Sequence, residues 1–233
     1  MKAAIITGAS VGIGSVTASR FVDSGFTVFN LSRRACPVPG VENIGCDLSS
    51  AEAIADTCRE LTANLAAGSE IALVHNASQM RKDNVRDCDN QDLVAVLQTN
   101  VVAINSLNQH LLPLMGEGSS VLYIGSTLSE KAVSGSFSYV TSKHAQLGMM
   151  RATCQDLMGS GVHTAMICPG FTDTEMLRTH LGPDPSVAAS IASMNSFNRL
   201  IEPGEIAELV HWAHHNPVIN GSVLHANLGQ RES

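Results

Sequence analysis

Thr7-Gly8-Ala9-Ser10-Val11-Gly12-Ile13-Gly14 decides the fold, because this glycine-rich stretch joins an apolar run to a helical pattern. The run before it, residues 3–6, is typical of a buried strand, and residues 15–24 are typical of a helix that ends at Gly25. Glycines at such a turn let the backbone approach a pyrophosphate, and the amides that open the helix attract the anion. A tight turn without a ligand has the same pattern. If the turn binds a cofactor that contains a pyrophosphate, the predicted contacts are Gly8, Ser10, Gly12, Ile13 and Gly14.

The rest of the chain alternates between strand-like and helix-like patterns. Helices are predicted at residues 51–67 and 92–114, among others, and strands at residues 26–31, 41–45, 71–75, 119–125, 162–168 and 222–229. Such alternation predicts an α/β fold with a doubly wound parallel sheet of about seven strands and helices on both faces. We expect one domain of residues 1–233, with its ligand site at the carboxyl edge of the sheet.

Tyr139 and Lys143 are expected to lie one turn apart on the same face of a helix. The chain has two tyrosines and four lysines, so chance predicts only about 0.03 such pairs. A fixed cation favours the phenolate, which brings proton exchange by the phenol closer to neutral pH. Ser126 could hold the oxygen to which the proton goes. The alternative is an ordinary helix with an exposed tyrosine and a solvated lysine.

Two arginines, Arg33 and Arg34, follow the second predicted strand, and no acidic residue stands there. In a dinucleotide fold a carboxylate at this position bonds the 2′-hydroxyl of the adenosine ribose, whereas an arginine suits a 2′-phosphate. The pattern therefore favours NADP(H) over NAD(H), with Arg33 the better candidate for the phosphate. The alternative is a surface loop in which both arginines are simply solvated.

Two further polar residues have two candidate roles each. Asp47 follows the third strand, and it either accepts a hydrogen bond from the adenine amino group or caps the helix that begins near Ser50. Asn100 interrupts an apolar helical stretch, so its amide either is a satisfied core group or holds a water molecule.

The order of these motifs resembles the short-chain dehydrogenase/reductase family over nearly the whole chain: the glycine turn, Asp47, Asn76-Ala77, Asn100, Ser126, Tyr139-x-x-x-Lys143 and Pro169-Gly170. The resemblance implies a single Rossmann-like domain that uses NAD(P)(H). It also implies a general acid or base (Tyr139), a lysine that binds the nicotinamide ribose and lowers the tyrosine pKa (Lys143), a serine that orients the substrate oxygen (Ser126), and an asparagine that holds a relay water (Asn100). The further cofactor contacts are Asp47, Leu48, Asn76, Ala77, Ser78, Tyr139, Lys143, Pro169, Gly170, Thr172 and Thr174.

The chain departs from the family pattern at three places. Ser78 stands where the family usually has glycine, which would narrow the space beside the cofactor. The glycine turn contains no lysine or arginine, and the C-terminal strand lacks the frequent Asp-Gly-Gly ending. None of these departures involves the four catalytic positions.

Residues 172–200 are expected to form a mobile helical lid over the substrate. Their apolar side chains, which include Leu181 and Phe197, either line an apolar inner side of the lid or pack on the sheet. An apolar lid favours an apolar or acyl carbonyl substrate. The predicted substrate contacts are Ser126, Leu128, Phe171 and Met176.

Composition narrows the class of protein. The net charge of −7 disfavours a nucleic-acid or anionic-membrane partner, because either needs clustered lysine and arginine. No signal-peptide pattern and no run of ~20 apolar residues is present, so a cytoplasmic protein with reduced cysteines is expected. His211, His214 and His215 stand near a predicted helix end, where histidine is favourable without a metal, and no metal site is expected.

The sequence thus predicts an NADP(H)-dependent reductase that converts a ketone, aldehyde or oxoacyl group to an alcohol, with Tyr139 as proton donor. One alternative is an NAD-dependent alcohol dehydrogenase. Another is a non-catalytic NAD(P)-binding regulatory protein, which the presence of all four catalytic residues disfavours. By resemblance, the helices at residues 92–114 and 137–158 would join copies of the chain into a homodimer or homotetramer.

Overall fold

A computed structural model describes residues 1–231, and the strands of this part form one seven-stranded parallel sheet. The strands are β1 (Lys2–Thr7), β2 (Thr27–Ser32), β3 (Val41–Gly45), β4 (Glu70–His75), β5 (Ser120–Ile124), β6 (His163–Pro169) and β7 (Val223–Ala226). Their order is β3-β2-β1-β4-β5-β6-β7, and every neighbouring pair is parallel. The strand order reverses direction at β1 and β4, so the segments that follow these two strands open a crevice at the carboxyl edge.

Eight α-helices accompany the strands within residues 1–231: α1 (Gly12–Asp23), α2 (Ala51–Asn64), α3 (Asn90–Leu97), α4 (Ala103–Leu111), α5 (Phe137–Asp156), α6 (Glu175–Leu181), α7 (Pro185–Ala192) and α8 (Pro203–His214). The long helix predicted at residues 92–114 is interrupted, because a π-helical turn, Gln98–Val102, joins α3 to α4. Such turns occur frequently at functional sites, and this one contains Asn100.

The sheet is buried on both faces because alternate residues of a strand pack against different helices. Ala3 and Ile5 of β1 belong to a core that includes residues of α2, α4 and α5. Ala4 and Ile6 belong to a second core, which includes residues of α1 and α8. Helices therefore cover both faces of a parallel sheet, and the predicted doubly wound α/β fold is confirmed.

Several helix boundaries differ from the sequence prediction by a few residues, those of α1 and α2 among them. Helix α1 begins at Gly12 rather than at residue 15, so Gly12 and Gly14 form its first turn. Helix α2 ends at Asn64 rather than at residue 67, because Leu65 already has an extended backbone. The first difference matters for the site, since it places the helix start directly at the glycine turn.

The three histidines near the end of α8 take part in packing. His214 is buried, its Nδ1 lies 2.8 Å from the Ser120 hydroxyl, and its ring contacts Phe21 and Phe26 edge to face. Within residues 1–231, no group of three or more His, Cys, Asp or Glu side chains is arranged to hold a metal ion. None of the helices in the same range has the length and apolar character that crossing a membrane requires.

Candidate active site

A cleft of about 1060 Å³ lies at the carboxyl edge of the sheet, lined by segments that follow β1 to β6 and by the beginnings of α5 and α6. Most of the predicted site residues line it: Gly8, Ser10, Gly12, Ile13, Arg33, Arg34, Asp47, Leu48, Asn76, Ala77, Ser78, Ser126, Leu128, Tyr139, Lys143, Pro169, Gly170, Phe171, Thr172, Thr174 and Met176. Two predicted residues, Gly14 and Asn100, lie outside the lining.

The glycine turn has a backbone that other residues would not tolerate. Gly8 and Gly12 have φ angles of +70° and +58°, in the left-handed region that favours glycine. A Cβ at Gly14 would lie 2.4 Å from the Gly8 carbonyl oxygen, so only glycine lets α1 pack this close to the turn. The Asn76 amide holds the turn from β4, because its Nδ2 donates to the Thr7 and Gly8 carbonyls, each at 3.0 Å.

Two buried polar side chains, which the sequence interpretation missed, tie the turn to its surroundings. The Thr7 hydroxyl accepts hydrogen bonds from the backbone amides of Asn76 and Ala77, each at 3.0 Å. Asn30 of β2 accepts from the Ala9 amide at 2.9 Å and donates to the Arg34 carbonyl at 3.1 Å. Asn30 is a polar residue within an apolar strand, which was the feature of the sequence that could have identified it.

Arg33 and Arg34 are both exposed at the mouth of the cleft, in the loop after β2. The Arg34 guanidinium pairs with the Glu175 carboxylate of α6 through two contacts of 3.3 Å. Hydrogen bonds from the Ser49 amide and hydroxyl lower the pKa of Asp47, and Arg33 adds a smaller effect in the same direction. Arg33 and Asp47 both line the cleft, where the segments after β2 and β3 end.

The capping role considered for Asp47 belongs to another residue. Ser50 is the N-cap of α2, and its hydroxyl accepts from the Ala53 amide at 3.2 Å. The carboxylate of Asp47 instead accepts from the Ser49 amide at 2.9 Å and from the Ser49 hydroxyl at 2.7 Å. Asp47 is exposed and lines the cleft, so the second candidate role, a contact with adenine, stays a prediction.

Tyr139 and Lys143 lie together on α5, as their spacing predicts, and both are almost fully buried, at 8% and 2% exposure. The Lys143 Nζ is 5.5 Å from the centre of the Tyr139 ring. It donates to the Ile124 carbonyl of β5 at 2.8 Å and to the Gln146 Oε1 at 3.1 Å. The ammonium is therefore held beneath the phenol by groups other than the phenol oxygen.

Burial sets the pKa values of this pair. It raises the pKa of Tyr139 to about 12 and lowers the pKa of Lys143 to about 8. This differs from the expectation that Lys143 lowers the pKa of the phenol, because loss of hydration disfavours the phenolate more than its neighbours favour it. Tyr139 is thus protonated at neutral pH, while Lys143 is largely charged.

Two serine hydroxyls face the phenol. The nearby hydroxyls of Ser126 and Ser78 favour the ionised form of Tyr139 and partly oppose the effect of burial on its pKa. Ser126 begins a short 3₁₀ turn, Thr127–Ser129, and its Oγ accepts from the Leu128 amide at 3.1 Å. The turn fixes the direction of the Ser126 side chain, so its hydroxyl and the phenol point to the same part of the cleft.

Asn100 is a satisfied core group, the first of its two candidate roles. Its Oδ1 accepts from the Gln79 amide at 2.7 Å, and its Nδ2 donates to the Gln79 carbonyl and the Ser142 hydroxyl, each at 2.9 Å. The side chain thus links the segment after β4 to α5. The role of holding a relay water stays a prediction.

Helices α6 and α7 lie in the segment predicted to be a lid. Thr174 caps α6, since its hydroxyl accepts from the Leu177 amide at 3.2 Å. The segment is attached to the C-terminal part of the chain, where the Arg231 amide donates to the Met194 carbonyl at 2.7 Å. Phe171, Met176 and Leu177 give this side of the cleft an apolar wall. Movement of the lid stays a prediction.

Several residues that line the cleft were missed in the sequence: Gln79, Met80, Val133, His180 and Gln230. Gln79 lies close behind β4 and Gln230 follows β7, so the rule that ligands bind behind strand ends could have found both. Met80 and Val133 lie in loops without a recognisable motif. Only their position in the fold brings them to the cleft.

A family model described as "short chain dehydrogenase" matches residues 2–182. Among curated relatives, carbonyl reductase family member 4 of Xenopus tropicalis is 26% identical, and the match covers 96% of this chain and 95% of the relative. An acetoacetyl-CoA reductase of Shinella zoogloeoides is 27% identical, with 98% of each chain covered.

Solved structures match the fold over almost the whole chain. The ligand-free aldohexose dehydrogenase of Thermoplasma acidophilum superposes with a TM-score of 0.90, at 24% identity, covering 98% of this chain and 93% of that one. A short chain dehydrogenase of Burkholderia cenocepacia in complex with NADP gives a TM-score of 0.87 at 25% identity, covering 98% and 97% of the two chains.

Proposed function

The chain belongs to the short-chain dehydrogenase/reductase family, and from that premise we propose that it is an NADP(H)-dependent reductase of a carbonyl compound. The observation that carries this proposal is the arrangement around Tyr139. A buried, protonated phenol lies beside a buried lysine and a serine hydroxyl, within a cleft at the carboxyl edge of the sheet. That arrangement suits delivery of a proton to an oxygen atom.

When bound, the nicotinamide cofactor supplies a hydride to the carbonyl carbon. Ser126 would donate a hydrogen bond to the substrate oxygen and hold it next to the phenol. Tyr139 would then give its proton to that oxygen as negative charge develops there. Lys143, charged and 5.5 Å from the Tyr139 ring, would stabilise the phenolate that remains. A phenol with a pKa of about 12 keeps its proton at neutral pH, so the proton is available to the substrate oxygen.

The residues of the glycine turn fit a dinucleotide. Gly8 and Gly12 line the cleft with positive φ angles and present bare backbone to it, and Gly14 lets α1 begin directly at the turn. The first turn of α1 supplies free amides and a positive dipole end, both suited to a pyrophosphate. Asn76, Ala77 and Ser78 would contact the middle of the cofactor, and Asp47 and Leu48 its adenine. Pro169, Gly170, Thr172 and Thr174 would hold its nicotinamide half.

The preference for NADP(H) rests on the exposed arginines after β2. Arg33 and Arg34 line the cleft there and would bind a 2′-phosphate through charge-assisted hydrogen bonds. A comparison of dissociation constants for NADPH and NADH, repeated with Arg33→Asp, tests the preference. We expect the wild-type protein to bind NADPH at least tenfold more tightly and the variant to lose this difference. Equal constants in the wild-type protein would contradict it.

The substrate is proposed to be a ketone, aldehyde or oxoacyl compound with an apolar part. Leu128, Phe171 and Met176 line the cleft that contains Ser126, and they would contact that part. The relatives named carbonyl reductase and acetoacetyl-CoA reductase support a carbonyl at this position. The substrate test is a panel of ketones, aldehydes and acyl thioesters, with turnover read from NADPH absorbance.

The central experiment compares the two tyrosines of the chain. Tyr139→Phe should abolish turnover and leave NADPH binding within about twofold, because it removes only the donated proton. Tyr123→Phe is the matched control, since Tyr123 is a buried residue of β5 that does not line the cleft, and its hydroxyl bonds Asn108 and Thr153. Turnover that survives in Tyr139→Phe would refute the role of Tyr139. A wild-type protein that binds NADPH and reduces no carbonyl would favour the regulatory alternative.

The chain is also proposed to form a homodimer or homotetramer through α3, α4 and α5. Val94 of α3 and Phe137 of α5 are exposed, at 64% and 36%, which supports an apolar contact on these helices. Light scattering at micromolar concentration tests the proposal. A monomer there would contradict it.

A further inference from the structure

Gln146 is a fully buried amide, 1% exposed, one turn beyond Lys143 on α5. Its Oε1 accepts a hydrogen bond from the Lys143 Nζ at 3.1 Å. Its Nε2 donates to the backbone carbonyl of Asn100 at 2.6 Å. Lys143, Gln146 and the π-helical turn that contains Asn100 are therefore joined in one chain of hydrogen bonds.

The two hydrogen bonds fix the orientation of the amide. The Asn100 carbonyl can only accept, so it requires the NH₂ group of Gln146 on its side. The carbonyl end of the amide must then point to the Lys143 ammonium, which can only donate. The Ile124 carbonyl accepts from the same ammonium at 2.8 Å. Lys143 is thus held by two neutral acceptors, one on β5 and one on its own helix.

We propose that Gln146 is a positioning residue for the reaction, which holds the Lys143 ammonium charged and beneath Tyr139 by linking it to the Asn100 carbonyl. The inference rests on the proposed function, in which Lys143 stabilises the phenolate. The proposal adds Gln146 to the residues that serve the reaction, although Gln146 does not line the cleft. The Tyr-x-x-x-Lys pattern does not specify which residue type stands at this position. An amide does not titrate, so this link positions the ammonium without passing a proton onward.

Gln146 affects the charge state of the Lys143 side chain. Within residues 1–231, the titratable groups near the ammonium are Tyr139 on α5 and Cys168 on β6. Both are protonated and neutral near pH 7, since burial raises the pKa of each. Burial lowers the pKa of Lys143 to about 8. An acceptor that bonds the ammonium favours its charged form, so loss of the acceptor should lower this pKa further.

The experiment measures Lys143 directly. With ¹³C at the lysine ε-carbons, the full chain gives signals from four lysines, and Lys143→Met assigns one of them. Gln146→Leu should lower the Lys143 pKa by about one unit, and Gln146→Glu should raise it by about as much, because a carboxylate stabilises the ammonium. Gln155→Leu makes the same change at an exposed position of the same helix and should leave the pKa unchanged.

Turnover gives the second readout. With the pKa lowered by one unit, kcat of Gln146→Leu should fall about fivefold at pH 8 and by only about a tenth at pH 6. A Lys143 pKa that moves in neither Gln146 variant would overturn the proposal. The proposal would also be overturned if kcat fell by the same factor at every pH and the melting temperature were the only other property to change. That pattern would mean that the Gln146 amide has a purely structural role.

The two Gln146 variants also separate this proposal from the function on which it rests. If Gln146→Leu does not fold, Gln146→Glu still decides the question, because the expected shift has the opposite sign. If the wild-type protein reduces no carbonyl while the Lys143 pKa moves as expected, the proposed function fails and the link between Gln146 and the ammonium is supported.

Discussion

Replacement of Gly14 by alanine tests whether the close approach of α1 to the glycine turn is a requirement of the fold. The added methyl group would lie 2.4 Å from the Gly8 carbonyl oxygen, 2.6 Å from the Asn76 Nδ2 and 2.9 Å from the Ala9 Cα. Real contacts of a Cβ are longer than 3.0 Å, and two of these three neighbours are backbone atoms. The helix therefore has to move away from the turn.

Two effects set the magnitude of the loss. Forcing a methyl group into a packed interior costs about 1–3 kcal/mol. The same methyl group displaces the hydrogen bonds of 3.0 Å from the Asn76 Nδ2 to the Thr7 and Gly8 carbonyls, which are worth about 1 kcal/mol together after partial rearrangement. We expect a loss of about 3 kcal/mol in the free energy of unfolding. For a chain of this length that corresponds to a melting temperature lower by about 6–12 °C.

The assay is thermal and urea unfolding at one fixed protein concentration, with Gly204→Ala as the matched control. Gly204 also lies in the first turn of a helix, α8, and nothing lies within 4 Å of the position of its Cβ. That control should change stability by less than about 1 kcal/mol, and in the stabilising direction. A Gly14→Ala protein as stable as the control would refute the reasoning, because it would mean that α1 shifts without cost.

Four further substitutions have defined outcomes. Glu175→Gln should tighten NADPH binding by up to about fivefold and leave NADH binding unchanged, because it releases Arg34 from an exposed ion pair. Equal effects on the binding of both cofactors in a titration would contradict this prediction. Burial lowers the pKa of His75 to about 4. Below pH 6.5 the unfolded chain therefore binds more protons than the folded chain does, and the free energy of unfolding should fall from pH 6.5 towards pH 4. His75→Gln should flatten that fall in urea titrations, and an unchanged slope would count against it. Ser50→Ala should cost about 1 kcal/mol through loss of the α2 cap, whereas Asp47→Ala should not destabilise α2.

The fold could be predicted from periodicity because each buried strand is a short apolar run and each crossover contains a helix. The glycine turn predicted the start of α1 to within three residues, and Gly25 predicted where the helix ends. The π-helical turn could not be predicted. Residues 98–102 continue the helical pattern of their neighbours, and nothing in that pattern marks the turn, which contacts α5 in the folded chain.

The candidate site was predictable where it follows strand ends. Ser126, Asn76 and Pro169 each stand directly behind an apolar run, so parallel strands bring them to one edge. Residues that act through a buried contact could not be found in this way. Asn30 and Gln146 are amides in regular elements, and their partners, Ala9 and Asn100, are 21 and 46 residues away in the sequence.

The Tyr139–Lys143 pair shows why proximity in sequence did not determine the electrostatics. The spacing predicts a cation next to a phenol, and such a pair in water would lower the pKa of the phenol. In the folded chain both side chains lose their hydration, and the two pKa values move apart: up to about 12 for the phenol and down to about 8 for the lysine. The neutral acceptors Ile124 and Gln146 then oppose loss of the lysine charge without supplying a negative charge of their own. A carboxylate at position 146 would pair with the ammonium and weaken its attraction for a developing phenolate. An amide at position 146 therefore suits the proposed proton donor better than an acid would.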